Sequence, residues 1–150
     1  VAGIDPGAVR QAVAAQIKAN IGRDINTYDG YVPLEPVAPC VLLMDPEGSE
    51  AVEYGQTFGR PYGSIYFDVW VLINPGPATD GQRVIDECLS AGVGHANSIY
   101  DALVADPTLG GVAPDGLIVR TARRARLTWN APSQTIFDVG IVPVEIYQPG

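Results

Sequence analysis

The side chains able to do chemistry are few in this 150-residue chain. His95 is the single histidine and sits in a Gly-Val-Gly-His stretch, so any Ser/His/Asp or Cys/His centre would have to recruit it. Catalysis needs a positioned base with a positioned partner. A surface loop histidine is the plainer reading. With Cys40 and Cys88, His95 gives too few ligands for a four-coordinate zinc site within one chain. The cysteines read as buried thiols in an apolar strand and helix, and a disulfide between them stays open. Leu109-Gly110-Gly111 lacks the Lys-Ser/Thr of a phosphate loop and does not open a helix, so it reads as a tight helix exit. No cofactor, metal site or enzymatic activity is expected.

Two charged segments remain. Asp45, Glu47, Glu50 and Glu53 place four carboxylates in nine residues, without the spacing of a calcium loop. They read as a solvated acidic arm or as a subunit contact. Arg120-Thr121-Ala122-Arg123-Arg124-Ala125-Arg126 gathers four of the nine basic residues. On a regular strand, Arg120, Arg124 and Arg126 share one face and Arg123 takes the other. The run is short for a DNA stripe and has no interleaved aromatics. It suits the basic half of a contact with the 45–53 carboxylates of a neighbouring copy, the wall of a lumen, or a charged strand edge in water.

These segments need a scaffold. Residues 5–22 predict a first helix, with Asp5 as N-cap, Pro6 at the first position, Gly22 closing the end, and Val9, Val13, Ile17 and Ile21 as one apolar stripe. Ile4 and Val9 have the spacing of a hydrophobic staple. A proline-rich stretch from Tyr28 to Pro39, with a turn at Asp29-Gly30, precedes a short strand at Val41–Met44. Residues 51–63 read as an irregular hairpin or flexible arm, and 64–73 as the clearest strand. Its Ile65, Phe67, Val69, Val71 and Ile73 face one side, and Ser64, Tyr66, Asp68, Trp70 and Leu72 form a mixed side that a loop or another chain would half cover. Thr79 and Gln82 have capping-box spacing before a second helix, striped by Val84, Ile85, Cys88 and Leu89 and stopped by Gly92. Ser98 caps a short third helix, with Asp101 reaching back and Ile99, Ala102 and Leu103 buried. Leu117–Trp129, a turn at Asn130-Ala131-Pro132-Ser133, and Thr135–Tyr147 predict a long C-terminal β-hairpin. Its apolar set switches from Phe137, Val139 and Ile141 to Val142, Val144 and Ile146, predicting a bulge or twist near Gly140. The expected class is α+β: an antiparallel or mixed β-sheet with two to three helices packed on it.

Composition sets the outer limits. An apolar fraction of 47% over 150 residues fits a single domain spanning 1–150 and excludes a disordered tail. The apolar runs 40–44 and 69–73 are far shorter than a membrane helix, so no membrane partner is expected. The first residues show no basic segment leading into an apolar run, so no signal peptide is expected, although trimming before Val1 would fit. A net charge of −8 argues against a protein devoted to gripping phosphate backbones. Eight of the nine basic residues are arginine, the side chain suited to planar interface contacts.

One segment adds to this reading. Ser98-Ile99-Tyr100-Asp101-Ala102-Leu103 running into Asp106-Pro107-Thr108-Leu109-Gly110-Gly111 resembles the tail terminator (tail completion) proteins of long-tailed bacteriophages. In that family a Ser-Ile-aromatic helix start leads to an Asp-x-Thr-Leu-Gly-Gly exit, and the element order is similar over most of the chain. The Gly/Tyr-rich stretch 45–63 departs from the pattern. The resemblance implies an α+β subunit of a hexameric ring that caps the tail tube, ends its polymerisation and joins the tail to the head connector. Implied partners are copies of itself, the major tail tube protein and a connector or stopper, with DNA passing through the lumen without sequence-specific binding. The implied place is the virion's head-tail junction, after assembly in the host cytoplasm. The rivals are another head-tail connector such as a stopper, and a small ligand-binding or enzymatic domain using Tyr54, Phe58, Tyr62, Tyr66 and Trp70 as an aromatic pocket.

Overall fold

A computed structural model describes residues 4–22, 25–29, 31–46, 50–57, 60–74, 78–129 and 134–148. Helix α1 spans Pro6–Asn20, and the Asp5 carboxylate accepts from the Ala8 amide at 3.1 Å, as its cap position predicts. The helix ends differently from expectation. Ile21 is extended at the C-cap, and Gly22 serves a close approach instead: a Cβ there would run into the Asn97 side chain.

The strands are β1 (Asn26–Thr27), β2 (Cys40–Met44), β3 (Val52–Thr57), β4 (Arg60–Ile73), β5 (Leu117–Val119), β6 (Arg123–Trp129) and β7 (Thr135–Gln148). Among the described residues they form one mixed seven-stranded sheet, in which only β1 and β2 pair in parallel. Long antiparallel β4 and β7 are its spine, in unbroken register from Gly63↔Gln148 to Ile73↔Asp138. The outer edge of β4 is shared by β3 (at 60–65) and β2 (at 68–72), and that of β7 by β6 (at 135–141) and β5 (at 144–146). Of the irregular hairpin or flexible arm expected at 51–63, the structure has the hairpin, with 52–57 in regular register with 60–65; residues 58–59 lie outside the described residues.

Both faces of the spine carry a core. On one face Ile65, Phe67, Val69 and Val71 of β4 and Val142, Val144 and Ile146 of β7 pack beneath α1, α2 (Ala78–Leu89) and α3 (Ile99–Val104). Val9, Val13 and Ile17 of α1, Ile85 and Cys88 of α2, and Ile99 and Leu103 of α3 complete it. On the opposite face Trp70, Leu72, Phe137, Val139 and Ile141 pack with Cys40 and Leu42 under Tyr28 and Ala38 of the proline-rich stretch and Leu127 and Trp129 of β6. Each fully buried aliphatic side chain contributes about 1.5–3 kcal/mol. The thiols lie on opposite sides of the sheet and are free, which closes the disulfide alternative.

The apolar switch along β7 therefore has another cause than a bulge near Gly140. Alternate residues already point to opposite faces, and β7 leaves one core as it enters the other. Gly140 is where α2 comes close: a Cβ there would lie 3.3 Å from Ile85 Cγ2. The irregularity sits on the neighbouring strand. Val119 opposes Val144 while Arg123 opposes Ile141, four steps against three, so the outgoing arm carries one extra residue at Arg120–Ala122 and divides into β5 and β6.

Two capping expectations are also corrected. The Ser98 hydroxyl accepts from the Asp101 amide at 3.1 Å, but the Asp101 carboxylate accepts from the Gly92 amide rather than reaching back to Ser98. Helix α2 begins at Ala78, so Thr79 falls inside its first turn; the Thr79 side chain lies outside the described residues. The turns expected at Gly30, Pro75–Pro77 and Asn130–Ser133 also lie outside them. Among the described residues, no helix is long and apolar enough to cross a membrane.

Candidate functional site

The extra residue in the β5–β6 arm re-aims the arginines. Arg120, opposite Pro143 through its amide, turns to the face that carries Glu145 and Tyr66. Arg123 lines the same hollow, while Arg124, level with Gly140, pairs with Asp86 of α2 at 2.9 Å. Arg126 holds Asp138 at 2.8 Å. The expected grouping of Arg120 with Arg124 and Arg126 is thus overturned, because an inserted residue inverts strand phase. Arg120 binds Glu145, and that hydrogen bond together with the carboxylate's charge raises its pKa.

The carboxylates expected as one acidic arm are dispersed. Asp45 pairs with Arg10 at 3.2 Å, and Arg10 also donates to the Leu43 carbonyl and stacks 4.9 Å from the Phe67 ring centre. Glu50 is exposed, and Glu53 accepts from the Tyr66 hydroxyl at 3.0 Å. Burial, then the bond to Glu53, raises the Tyr66 pKa. Glu47 lies outside the described residues.

Around Arg120 the sheet face is open and mostly polar. A hollow of about 280 Å³ is lined by Pro46, Tyr66, Asp68, Arg120, Arg123 and Glu145, among others, and the Ser64 hydroxyl donates to Glu145 at 3.1 Å. Asp68 is buried, and Tyr147 and Ile118 stand exposed on the same face. The sequence placed Ser64, Tyr66 and Asp68 on a half-covered face. Glu145, which organises it, was missed because it sits in an apolar run whose neighbours are all core.

The motif segment is a folded unit. Ser98, buried, caps α3 and donates to the Ser90 carbonyl at 2.5 Å, while Ile99, Leu103 and Leu109 enter the helix-side core. Asp106 accepts from the Thr108 hydroxyl (2.7 Å), the Thr108 amide and the Gly110 amide (2.8 Å), led by the hydroxyl in lowering its pKa. This clamp holds Leu109 at φ 52°, followed by Gly110 (69°) and Gly111 (94°), in a 3₁₀ turn at Leu109–Gly111 that seats the leucine inward. Left-handed backbone suits glycine and costs leucine about 1–2 kcal/mol. Gln148 of β7 donates to the Val112 carbonyl and ties the unit to the spine. Tyr100 and Val104, one turn apart on α3, are exposed.

His95 is exposed in the loop before α3, where its carbonyl accepts from the Ser98 amide. The aromatic pocket is not assembled. Tyr54 is exposed on the helix side of β3, Tyr62 lies over Gly55, Trp70 is in the second core, and Phe58 lies outside the described residues. Among the described residues no group of three or more His, Cys, Asp or Glu could hold a metal. Burial pushes both thiols up to about 12, with the Glu87 charge adding to the effect at Cys88, which leaves them poor nucleophiles. No family model and no curated protein matches this sequence.

Proposed function

We infer that this chain is a structural subunit of the head-tail junction of a long-tailed bacteriophage, acting as the tail terminator. The observation that carries the reading is the 98–111 unit: the residues of the resemblance, from the Ser98 cap to the Asp106 clamp and paired glycines, form one connected turn-helix device. The order of helix, proline-rich stretch, strands, two helices and C-terminal strands supports it. In this role the ring ends tube polymerisation by occupying the tube's growing end, then offers its other face to the connector. An acidic chain suits a conduit through which DNA must pass without sticking.

The experiment is imaging of particles made when the gene is silenced in its parent phage. The terminator role gives filled heads without tails beside free tubes of irregular, excessive length. Normal-length tails that fail to join leaking heads would move the protein to the stopper position. Normal virions would end both readings.

A further inference from the structure

The sheet has four outer edges, and two of them match. Along β4, β3 pairs at 60–65 and β5, across β7, lies level with 65–67; the strands run in the order β3, β4, β7, β5 with alternating directions, and among the described residues no strand pairs with the outer edges of β3 and β5. A second copy placed beside the first and shifted by two residues along the strands, which preserves both face and hydrogen-bond phase, would bring its β3 alongside β5 in the antiparallel sense. β6 differs: Arg123, Arg124 and Arg126 crowd its edge, a usual protection against strand pairing.

Hydrogen-bond phase agrees with this placement. The Arg120 amide donates to the Pro143 carbonyl, so the alternation of an antiparallel ladder turns Leu117 and Val119 outward. The Tyr66 amide donates to the Ala51 carbonyl, which turns Val52 and Tyr54 of β3 outward. The outward residues of both strands belong to the helix face of the sheet, so joining them keeps each face continuous. With Leu117 opposite Tyr54 and Val119 opposite Val52, apolar side chains meet on the helix face, including Tyr54, otherwise 71% exposed. On the other face Ile118, 53% exposed, meets Glu53, and Arg120 comes diagonal to Glu53. Arg120 already holds Glu145, but a guanidinium has five donors and can serve a second carboxylate.

We propose that copies of this chain join head to tail through strand addition, the β3 edge of one subunit pairing with the β5 edge of the next. Such a heterologous contact builds closed rings or open filaments according to the rotation it imposes. The proposal rests on the ring-subunit reading only in supposing that the chain meets copies of itself.

The test uses the full chain. Ile118→Cys and Glu53→Cys would face each other in a non-hydrogen-bonded pair, with Cα atoms about 4.5 Å apart, within disulfide reach. Mixed under oxidising conditions, the two single variants should give a cross-linked dimer, and the double variant a ladder. Neither variant alone should do so, because Cys40 and Cys88 are buried. Val119→Pro removes an outward N–H without touching the β7 pairing and should weaken association about tenfold or more in sedimentation. Cross-linking by Glu53→Cys alone at the rate of the mixture would overturn the proposal in favour of two-fold pairing. A wild-type chain monomeric from micromolar to millimolar concentration, with no cross-link in the mixture, would overturn it outright. Either failure leaves the tail-length phenotype of the silenced phage unaffected, so the two readings fail separately.

Discussion

Between Asp68 and Ile73 of β4, paired with Asp138–Pro143 of β7, the central ladder is covered on both faces, by helices on one and by the proline-rich stretch, with Leu127 and Trp129 of neighbouring β6 packed beside it, on the other. Between Gly63 and Phe67, paired with Val144–Gln148, the helix side stays covered and the other side opens onto Ser64, Tyr66, Glu145 and Tyr147. The ladder is the same and the surroundings differ. The doubly covered half supplies stability, and the half open on one face exposes polar and charged side chains.

The contrast breaks first at Leu72, fully buried in the second core. Leu72→Ala should cost about 2–5 kcal/mol in denaturant unfolding; a loss under about 1 kcal/mol would mean that the loop-covered core contributes little. Next is Gly140→Val, which pushes Ile85 and Leu89 away from the spine at a cost of about 1–3 kcal/mol. Ser98→Ala removes the α3 cap and the bond to Ser90, and a thermal melt should register about 1–2 kcal/mol.

Asp106 sharpens the contrast through pH. Its folded pKa lies below the ordinary value of 3.8, so its stabilisation is fully present above that value and lost as pH falls through the folded pKa. Asp106→Asn should melt below wild type at neutral pH, and the gap should close under acid; a gap constant with pH would remove the charge from the account. Smallest is Tyr147→Ser in the open half, where a thermal melt should show stability within about 0.5 kcal/mol of wild type.

Much of this scaffold was legible. The 3.6-residue stripe of Val9, Val13 and Ile17, the Asp5 and Ser98 caps and the alternation of 65–73 each follow from local chemistry that the tertiary structure leaves in place. The arginine faces were not, because one inserted residue inverts every position after it and no local signal distinguishes Thr121-Ala122 from ordinary strand. The switch along β7 was visible but misattributed, since periodicity reports which residues are apolar and not that two cores share one strand. Gly22 looked like a helix stop because its true neighbour, Asn97, is far away in sequence. In the candidate site, Arg120 and Tyr66 were visible as charge and aromatic, while the Glu145 that joins them came only from the pairing of distant strands.

The placement of Cys40 beneath the proline-rich cover and Cys88 beneath the helices equips the protein with a pair of internal clocks. A thiol-labelling reagent reaches each sulfur only when its own lid lifts, so the two labelling rates time the opening of the two sides separately. If the proline-rich lid lifts by itself, Cys40 is modified first and the singly labelled species accumulates; if the sheet opens as one cooperative unit, the two sulfurs react together. Mass spectrometry of a labelling time course would thus time each side of the sheet without a single engineered residue.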